Sequence, residues 1–393
     1  MRILLTAPLL PQPAATTGGA LVFYGLVEAL ATRHQVTVVC LAGASPTDRA
    51  GLEALTALGV AVVPVWRQAA GGAQVVGRRM RLAARWVTTR NPLRVLKFHD
   101  PAVQKALDAT VADATAGGRA FDLVQVEDNA MAQYRYPPGI ARVLTEHEVR
   151  LSGAGNPLRT GRWHQYQRNV WQRFDRLIVF TERDAAALRA IAPELEAIVR
   201  VNPFGVTLGP PADRALERDD QLVFVGGFRH APNVDAARWL VRSILPLVQA
   251  RRAGTRLTIV GADPPAPVRA LASPWVTVTG FVPDVQPYLD QAAVVIAPLR
   301  AGAGMRVKIL QALARGKAVV TTSLGAEGLA AGAPVRMGES AAQLADAVVA
   351  LLADASARRE LGDRARSFVA VHHSWTGFSQ RLAAVYRELG LDA

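Results

Sequence analysis

The chain has 393 residues, 50% of them hydrophobic and 20% charged, which allows two or three domains with substantial cores and excludes a disordered protein. No run of 18 apolar residues occurs, which excludes a membrane-spanning helix, and a single cysteine, Cys40, excludes intramolecular disulfides and cysteine-cluster metal sites. A formal charge of +13, from 45 basic against 32 acidic residues, favours anionic partners: nucleic acid, anionic lipid or phosphorylated small molecules.

Short apolar runs alternate with longer helical stretches, the pattern of repeated strand–helix–strand units and parallel sheets. The uncharged opening, residues 3 to 27, has the length of a short signal peptide. Pro8, Pro11, Pro13 and the Gly18-Gly19 pair interrupt it, however, and a strand–loop–helix reading fits better. Strands are expected over 2–8, 35–41, 60–66, 122–128, 141–147, 176–182 and 197–203. Cys40 falls inside the second as a small core residue, in keeping with a reducing cytoplasm. Most of these runs are continuously apolar, as expected where helices cover both faces of a sheet. From Gly205 to Asp220 the pattern lapses into Pro, Gly and charge. This marks a linker at 206–218 between an amino-terminal domain, 1–205, and a carboxyl-terminal domain, 219–373. A second series of strands follows at 221–227, 256–262, 275–281, 293–299 and 318–323, and helices over 341–352 and 375–389 close the chain. The fold class is α/β, with two doubly wound domains. Ligands of such sheets bind beyond the carboxyl ends of the strands, and two facing sheets would define an interdomain cleft there.

After the first strand, a Rossmann dinucleotide site needs G-x-G-x-x-G. Here a Pro-rich loop ends instead in Gly18-Gly19, before a helix expected from about Ala20. Paired glycines let backbone N–H groups approach a phosphate at a helix start, or they form a flexible turn. The missing motif argues against an NAD enzyme. Residues 1–205 carry 24 Lys and Arg against 16 acids, and nine of those basic residues lie from Arg67 to Lys105 with one acid, Asp100. With Trp66, Trp86 and Phe98 among its cations, that stretch suits docking on an anionic membrane surface, and equally a solvated basic face. In ARVLTEHEVR, His147 ends a strand between Glu146 and Glu148, either in contact with substrate or as a structural histidine. Glu127 and Asp128 end another strand of the same layer. In the second domain, Gly226-Gly227 permits close backbone approach, with Arg229 and His230 just beyond, and Gly280-Phe281 offers backbone and apolar surface for a base.

The strongest segment is LRAGAGMRVKILQALARGKAVVTTSLGAEGL, residues 299–329. A strand ends at Pro298, a loop of small residues including Gly302 and Gly304 follows, and a helix is expected from Val307 to Ala314 with Arg306 and Lys308 flanking its start. Helix N–H groups, the helix dipole and two cations converge there, which in physical terms is a diphosphate site. The alternative is a pair of solvated helix-end charges. Cations at a helix amino end oppose the dipole by about 0.3–1 kcal/mol, so their placement calls for an anion. No Asp-x-Asp pair, metal-spaced histidine set, G-x-S-x-G or Walker A loop occurs, and no metal is expected.

On these residues the chain resembles the retaining glycosyltransferases of the GT-B fold, family 4. GAGMRVKILQALARGKAVV is similar to that family's G-x-G-x-R-x-K-I-L-E-A-x-A-x-G-K-x-V-V. The Gly-Gly loop, FDLVQVED, TEHEV, FTERDAAAL, FVGGFRHAPNVDAARWL and SWTGFSQRLAAVY extend the likeness over nearly the whole chain. The resemblance implies two Rossmann-like domains, with the acceptor on 1–205, the nucleotide sugar on 219–373, and a last helix, about 375–393, returning to the first. It implies hexose transfer with retention, without metal or other cofactor, from a UDP- or GDP-linked donor to a saccharide, glycolipid or similar hydroxyl acceptor. Polysaccharide biosynthesis in the cytoplasm, or peripherally on the inner face of the cell membrane, is the setting it suggests. Catalytic contacts would come from His147, Arg306 and Lys308, and donor contacts from Gly18, Gly19, Gly226, Gly227, Arg229, Gly280, Phe281, Gly302, Gly304 and Met305. Two departures stand out. The family's E-x7-E falls on Ala303 and Gln311, and the Arg and Lys that many members carry after the second domain's first strand read Gly227 and Asn233. Gln311 can still hydrogen-bond a ribose, whereas Ala303 makes no polar contact, which turns attention to Glu327 for a sugar hydroxyl. The same departure motivates an alternative, a degenerate glycosyltransferase that binds a nucleotide sugar or partner enzyme without catalysing transfer. A nucleotide-sugar epimerase of similar fold is a further alternative, and nucleic-acid binding rests on charge alone and is not expected.

Overall fold

The computed structural model describes the chain except at residues 14–17, 44, 68–71, 90, 150–156 and 303–305. Two compact units emerge: Gly19–Pro203 with the amino-terminal strand and the carboxyl-terminal Phe378–Ala393, and Phe204–Gly377.

Among the described residues, seven parallel strands build the first unit. They are β1 (Arg2–Ala7), β2 (Gln35–Ala42), β3 (Ala61–Trp66), β4 (Leu123–Glu127), β5 (Ala141–Glu146), β6 (Arg176–Val179) and β7 (Val199–Val201). Their order is β3-β2-β1-β4-β5-β6-β7, so the direction of winding reverses between β1 and β4. Leu4 pairs with Thr37 on one side and Val124 on the other, which fixes the register at that reversal. Every residue of β4 is buried, and Leu123, Val124 and Val126 contribute apolar surface to the core. Gln125 and Glu127 of the same strand are buried polar residues, a first sign that this edge does more than pack. Helices begin on local caps: the Asp100 carboxylate accepts from Ala102 N–H ahead of Pro101, and Thr181 Oγ1 accepts from Asp184 N–H. Two local expectations shift. The first helix starts at Gly18, and residues 193–198 form a 3₁₀ turn that shortens β7. The final helix, Trp375–Arg387, seals this unit with buried Phe378, Leu382, Val385 and Tyr386. Just beyond it, the Glu388 carboxylate accepts from Arg200 Nη2 (2.6 Å) and Arg176 Nε (2.9 Å).

Among its described residues the second unit has six parallel strands: β8 (Arg218–Val225), β9 (Arg256–Val260), β10 (Val276–Gly280), β11 (Ala292–Ala297), β12 (Ala318–Thr321) and β13 (Arg336–Met337). Their order, β10-β9-β8-β11-β12-β13, reverses between β8 and β11, and such reversals open a crevice at the strands' carboxyl ends. The two-residue β13 and the helix Ala355–His372, capped by Asp354, have no counterpart in the sequence reading. That helix nevertheless positions the site. A Cβ at its Gly362 would stand 2.0 Å from Gly316 O, and Gly316, in left-handed backbone (φ 73°), ends the helix Val307–Ala314. At the amino ends of the strands the charges are paired: Lys317 Nζ donates to Glu217 Oε2 (2.7 Å), and buried Arg358 bonds both Glu217 and Asp219. Among the described residues no helix is long and apolar enough to cross a membrane.

Candidate active site

In the second unit the carboxyl ends of β8, β9 and β10 meet in glycines. Gly226 N–H donates to Val260 O (2.9 Å) and Gly261 N–H to Gly280 O (3.2 Å). A Cβ at Gly261 would stand 2.1 Å from Gly226 O, so only glycine lets these turns lie side by side. Beyond Gly280, Phe281 is 57% exposed.

Across the reversal, Arg306 occupies the N-cap of the helix Val307–Ala314 and is only 6% exposed. Its guanidinium lies against Gly302, where an added Cβ would come within 3.3 Å of Nη1, and Gly302's φ of 116° by itself demands glycine. Glu327 Oε2 is 3.9 Å from Arg306 Nη2. Lys308 turns toward β8: its ammonium donates to Asn233 Oδ1 and sits 5.0 Å from the centre of the Phe224 ring. Asn233 is held in turn by its Nδ2 donating to Gly227 O (2.7 Å). Gly226 leaves the room, since a Cβ there would lie 2.9 Å from both Lys308 Nζ and Asn233 Cγ. Burial, and after it the nearby Arg306 charge, lowers the Lys308 amine to about 7. An anion arriving there would raise it again. The two cations are therefore built into the strand ends and are not solvated helix-end charges.

Two threonines that the sequence reading passed over fasten the turn carrying Glu327. Thr322 Oγ1 donates to Leu299 O (2.5 Å) and accepts from Gly325 N–H (2.9 Å), while Thr321 Oγ1 donates to Ala297 O (2.7 Å). A Thr-Thr pair directly after a buried parallel strand was the available signal. Gln311 is half-buried on the helix Val307–Ala314. Ala303, Gly304 and Met305 lie outside the described residues. The Arg229 side chain is 84% exposed and paired with Asp263 (2.7 Å). Asn233, where the resemblance implies a cation, is the neutral seat of Lys308.

In the first unit, His147 follows β5, and its Nε2 lies 2.8 Å from Glu127 Oε2 at the end of β4. The ring sits between Phe23 of the first helix (centroids 4.7 Å apart) and the edge-on Phe180 (4.8 Å). Strand alternation sends its neighbours elsewhere. Glu146 is buried and accepts from Trp171 Nε1 (2.5 Å) and Asn129 Nδ2 (3.0 Å), and burial pushes its carboxyl up to about 8. Glu148 pairs with Arg94 (2.9 Å), which also reaches Asp128 (3.5 Å). Gly18 and Gly19 open the first helix, and the nearest atom to a Cβ at Gly19 would be 3.9 Å away on Phe23, so the described chain does not itself require glycine there. Within the basic stretch, Trp66 is 47% exposed, but Trp86 lies beneath the Arg162 guanidinium (4.4 Å) and Phe98 packs on the core. Of the three aromatics expected to face a membrane, only Trp66 is presented.

Residues 219–354 match the family model described as glycosyl transferases group 1. Solved structures of the same fold include a glycosyltransferase from Rickettsia africae ESF-5 (TM-score 0.67, 12% identity, covering 100% of this chain and 99% of that one). Anabaena Alr3699/HepE in complex with UDP and glucose is similar too (TM-score 0.65, 14% identity, 98% and 99% covered). So is α,α-trehalose 6-phosphate synthase from Burkholderia multivorans (TM-score 0.65, 12% identity, 99% and 99% covered). No curated protein matches the chain by sequence. Two parallel-sheet Rossmann-like units with these strand orders make the fold GT-B, and the second of them contains the segment similar to the glycosyl transferases group 1 model.

Proposed function

We propose that the chain is a retaining glycosyltransferase of family 4 that moves a hexose from a UDP- or GDP-linked donor to a hydroxyl of a saccharide, glycolipid or similar acceptor. One observation carries this: a buried arginine packed on a left-handed glycine at a helix amino end, with Lys308 beside it at about 7, inside the segment that matches the group 1 model. The UDP and glucose held by Alr3699/HepE, a protein of the same fold, agree with it.

In this mechanism the bond from the anomeric carbon to the diphosphate oxygen breaks through an oxocarbenium-like centre, and Arg306, Lys308 and the helix N–H groups stabilise the charge that develops on the leaving diphosphate. Their two charges do the work for which no metal is needed. The acceptor hydroxyl attacks on the face the diphosphate leaves, forms the new bond to the anomeric carbon, and gives its proton to a phosphate oxygen. Within the second unit, Gly226, Gly227, Gly280 and Phe281 border the nucleotide, Gln311 meets the ribose and Glu327 meets a sugar hydroxyl; in the first unit His147 is the substrate contact, and Gly18 and Gly19, at the start of the first helix, are offered to the donor phosphates. Trp66, with Met80, Val87 and Leu93 exposed in the same basic stretch, is the part offered to an anionic membrane. Co-sedimentation that needs acidic lipid and weakens with salt is expected there.

The decisive test is a panel of UDP-, GDP- and ADP-sugars assayed for transfer and hydrolysis, with the anomeric configuration of the product read by NMR. Retention from one nucleotide class is expected. An inverted product, or no binding of any nucleoside diphosphate by calorimetry, overturns the proposal.

A further inference from the structure

Behind His147 runs a line of buried hydrogen bonds that diphosphate departure does not use. Tyr386 Oη donates to Gln125 Oε1 (3.1 Å), and Gln125 Nε2 donates to both Glu127 Oε1 (2.8 Å) and Thr145 Oγ1 (2.8 Å). The line ends where Glu127 Oε2 meets His147 Nε2 (2.8 Å). Gln125, Glu127 and Tyr386 are fully buried, Thr145 nearly so, and all belong to the first unit.

Such a line has a direction. The phenol donates to the amide oxygen, which turns the amide nitrogen toward Glu127. A carboxylate can only accept, so Glu127 takes the Nε2 proton of the imidazole. In the neutral ring the proton then resides on Nε2, and Nδ1 is left as a bare acceptor. Among the described residues nothing bonds Nδ1. Phe23 and Phe180 on either side oppose rotation of the ring, and the side chain keeps 14% of its surface open.

We infer that Glu127 is a positioning residue. Backed by Gln125 and Tyr386, it fixes His147 as the Nε2–H tautomer and presents Nδ1 as an acceptor for a hydroxyl of the bound sugar. The ligand in that statement rests on the glycosyltransferase reading, and the tautomer does not. A lone acceptor of this kind selects a sugar carrying an O–H at the contacted carbon over its deoxy counterpart, because the deoxy sugar leaves Nδ1 unsatisfied.

Long-range proton–nitrogen NMR of the histidine-labelled full chain, with His147→Ala assigning the ring, tests the tautomer without any substrate. The wild type should show Nε2 protonated and Nδ1 bare. Glu127→Gln places an amide nitrogen against either the Gln125 amide or the imidazole, so the tautomer preference should vanish. In transfer assays the same variant should lose about ten- to a hundredfold in kcat with KM for the donor little changed. Added to His147→Ala it should cost nothing further, since Glu127 acts through the ring. Should Glu127→Gln fail to fold, Tyr386→Phe cuts the far end of the line and should move the same spectrum in the same direction. Protonation at Nδ1 in the wild type, an unchanged spectrum in a folded variant, or full additivity with His147→Ala overturns the inference. A wild type with the expected tautomer that transfers no sugar overturns the glycosyltransferase reading alone.

Discussion

The strand ends of the two units solve opposite problems. In the second unit two cations rest in largely neutral surroundings: Lys308 on an amide and an aromatic face, Arg306 on a glycine backbone with its nearest carboxylate 3.9 Å away. In the first unit, four acids, Glu127, Asp128, Glu146 and Glu148, are each given a specific donor or cation. Positive charge in a neutral bed attracts an anion strongly, because little of its field is cancelled locally. A fully bonded acidic pocket instead gains direction, holding one imidazole in one orientation. The strand ends of the second unit are thus governed by charge, and those of the first by geometry.

Arg306→Ala strikes that contrast hardest. Loss of a preorganised transition-state contact is worth about 3 kcal/mol, so kcat/KM should fall on the order of a hundredfold or more, while the melting temperature stays close to wild type. Unchanged kinetics would break the comparison. Gly226→Val comes next, since its side chain must enter the 2.9 Å space held by Lys308 Nζ and Asn233. Overpacking of that kind costs about 1–3 kcal/mol, visible as a lowered melting temperature together with weaker UDP affinity.

Proton linkage sharpens the contrast further. Lys308 is lowered from an ordinary 10.5 to about 7, so above pH 7 the free protein holds it mostly neutral. UDP should therefore bind with uptake of a proton at pH 8, seen as calorimetric heats that vary with the ionisation heat of the buffer, and Lys308→Met should abolish the variation. The sign for stability is the reverse of a paired amine. The unfolded chain binds the extra proton between about 7 and 10.5, so stability rises with pH across that window, and Lys308→Met should stabilise most below pH 7. A linked effect of the opposite sign belongs to Glu146, raised from 4.5 to about 8. Here the folded state binds the extra proton, so stability contributed by this group declines from pH 4.5 to about 8. Glu146→Gln should flatten that part of the melting-temperature profile, and an unaltered slope would show that the burial of Glu146 does not govern it.

Twelve of the thirteen strands among the described residues can be read from sequence because most are continuous apolar runs between turn residues. β13 escapes because two residues make no pattern, and the helix Ala355–His372 because Arg358, Arg359, Arg364 and Arg366 thin its apolar face. Arg306 and Lys308 are conspicuous because they stand within one turn of a helix start, next to small residues. What holds Lys308 is not: Asn233 and Phe224 come from a strand and helix more than 70 residues earlier. Nor does ARVLTEHEVR reveal that Glu146 and His147 point apart, or that the partner of the histidine ends a neighbouring strand. Tyr386, 261 residues from Gln125, has no local signal of any kind.

That last distance has a consequence for biosynthesis. The phenol that completes the interior of the first lobe is made only after every residue of the second lobe has been added to the chain. Domains usually mature in the order of their synthesis. Here the amino-terminal one has to wait, and a nascent polypeptide stalled short of residue 386 leaves the Gln125 amide oxygen without its phenol.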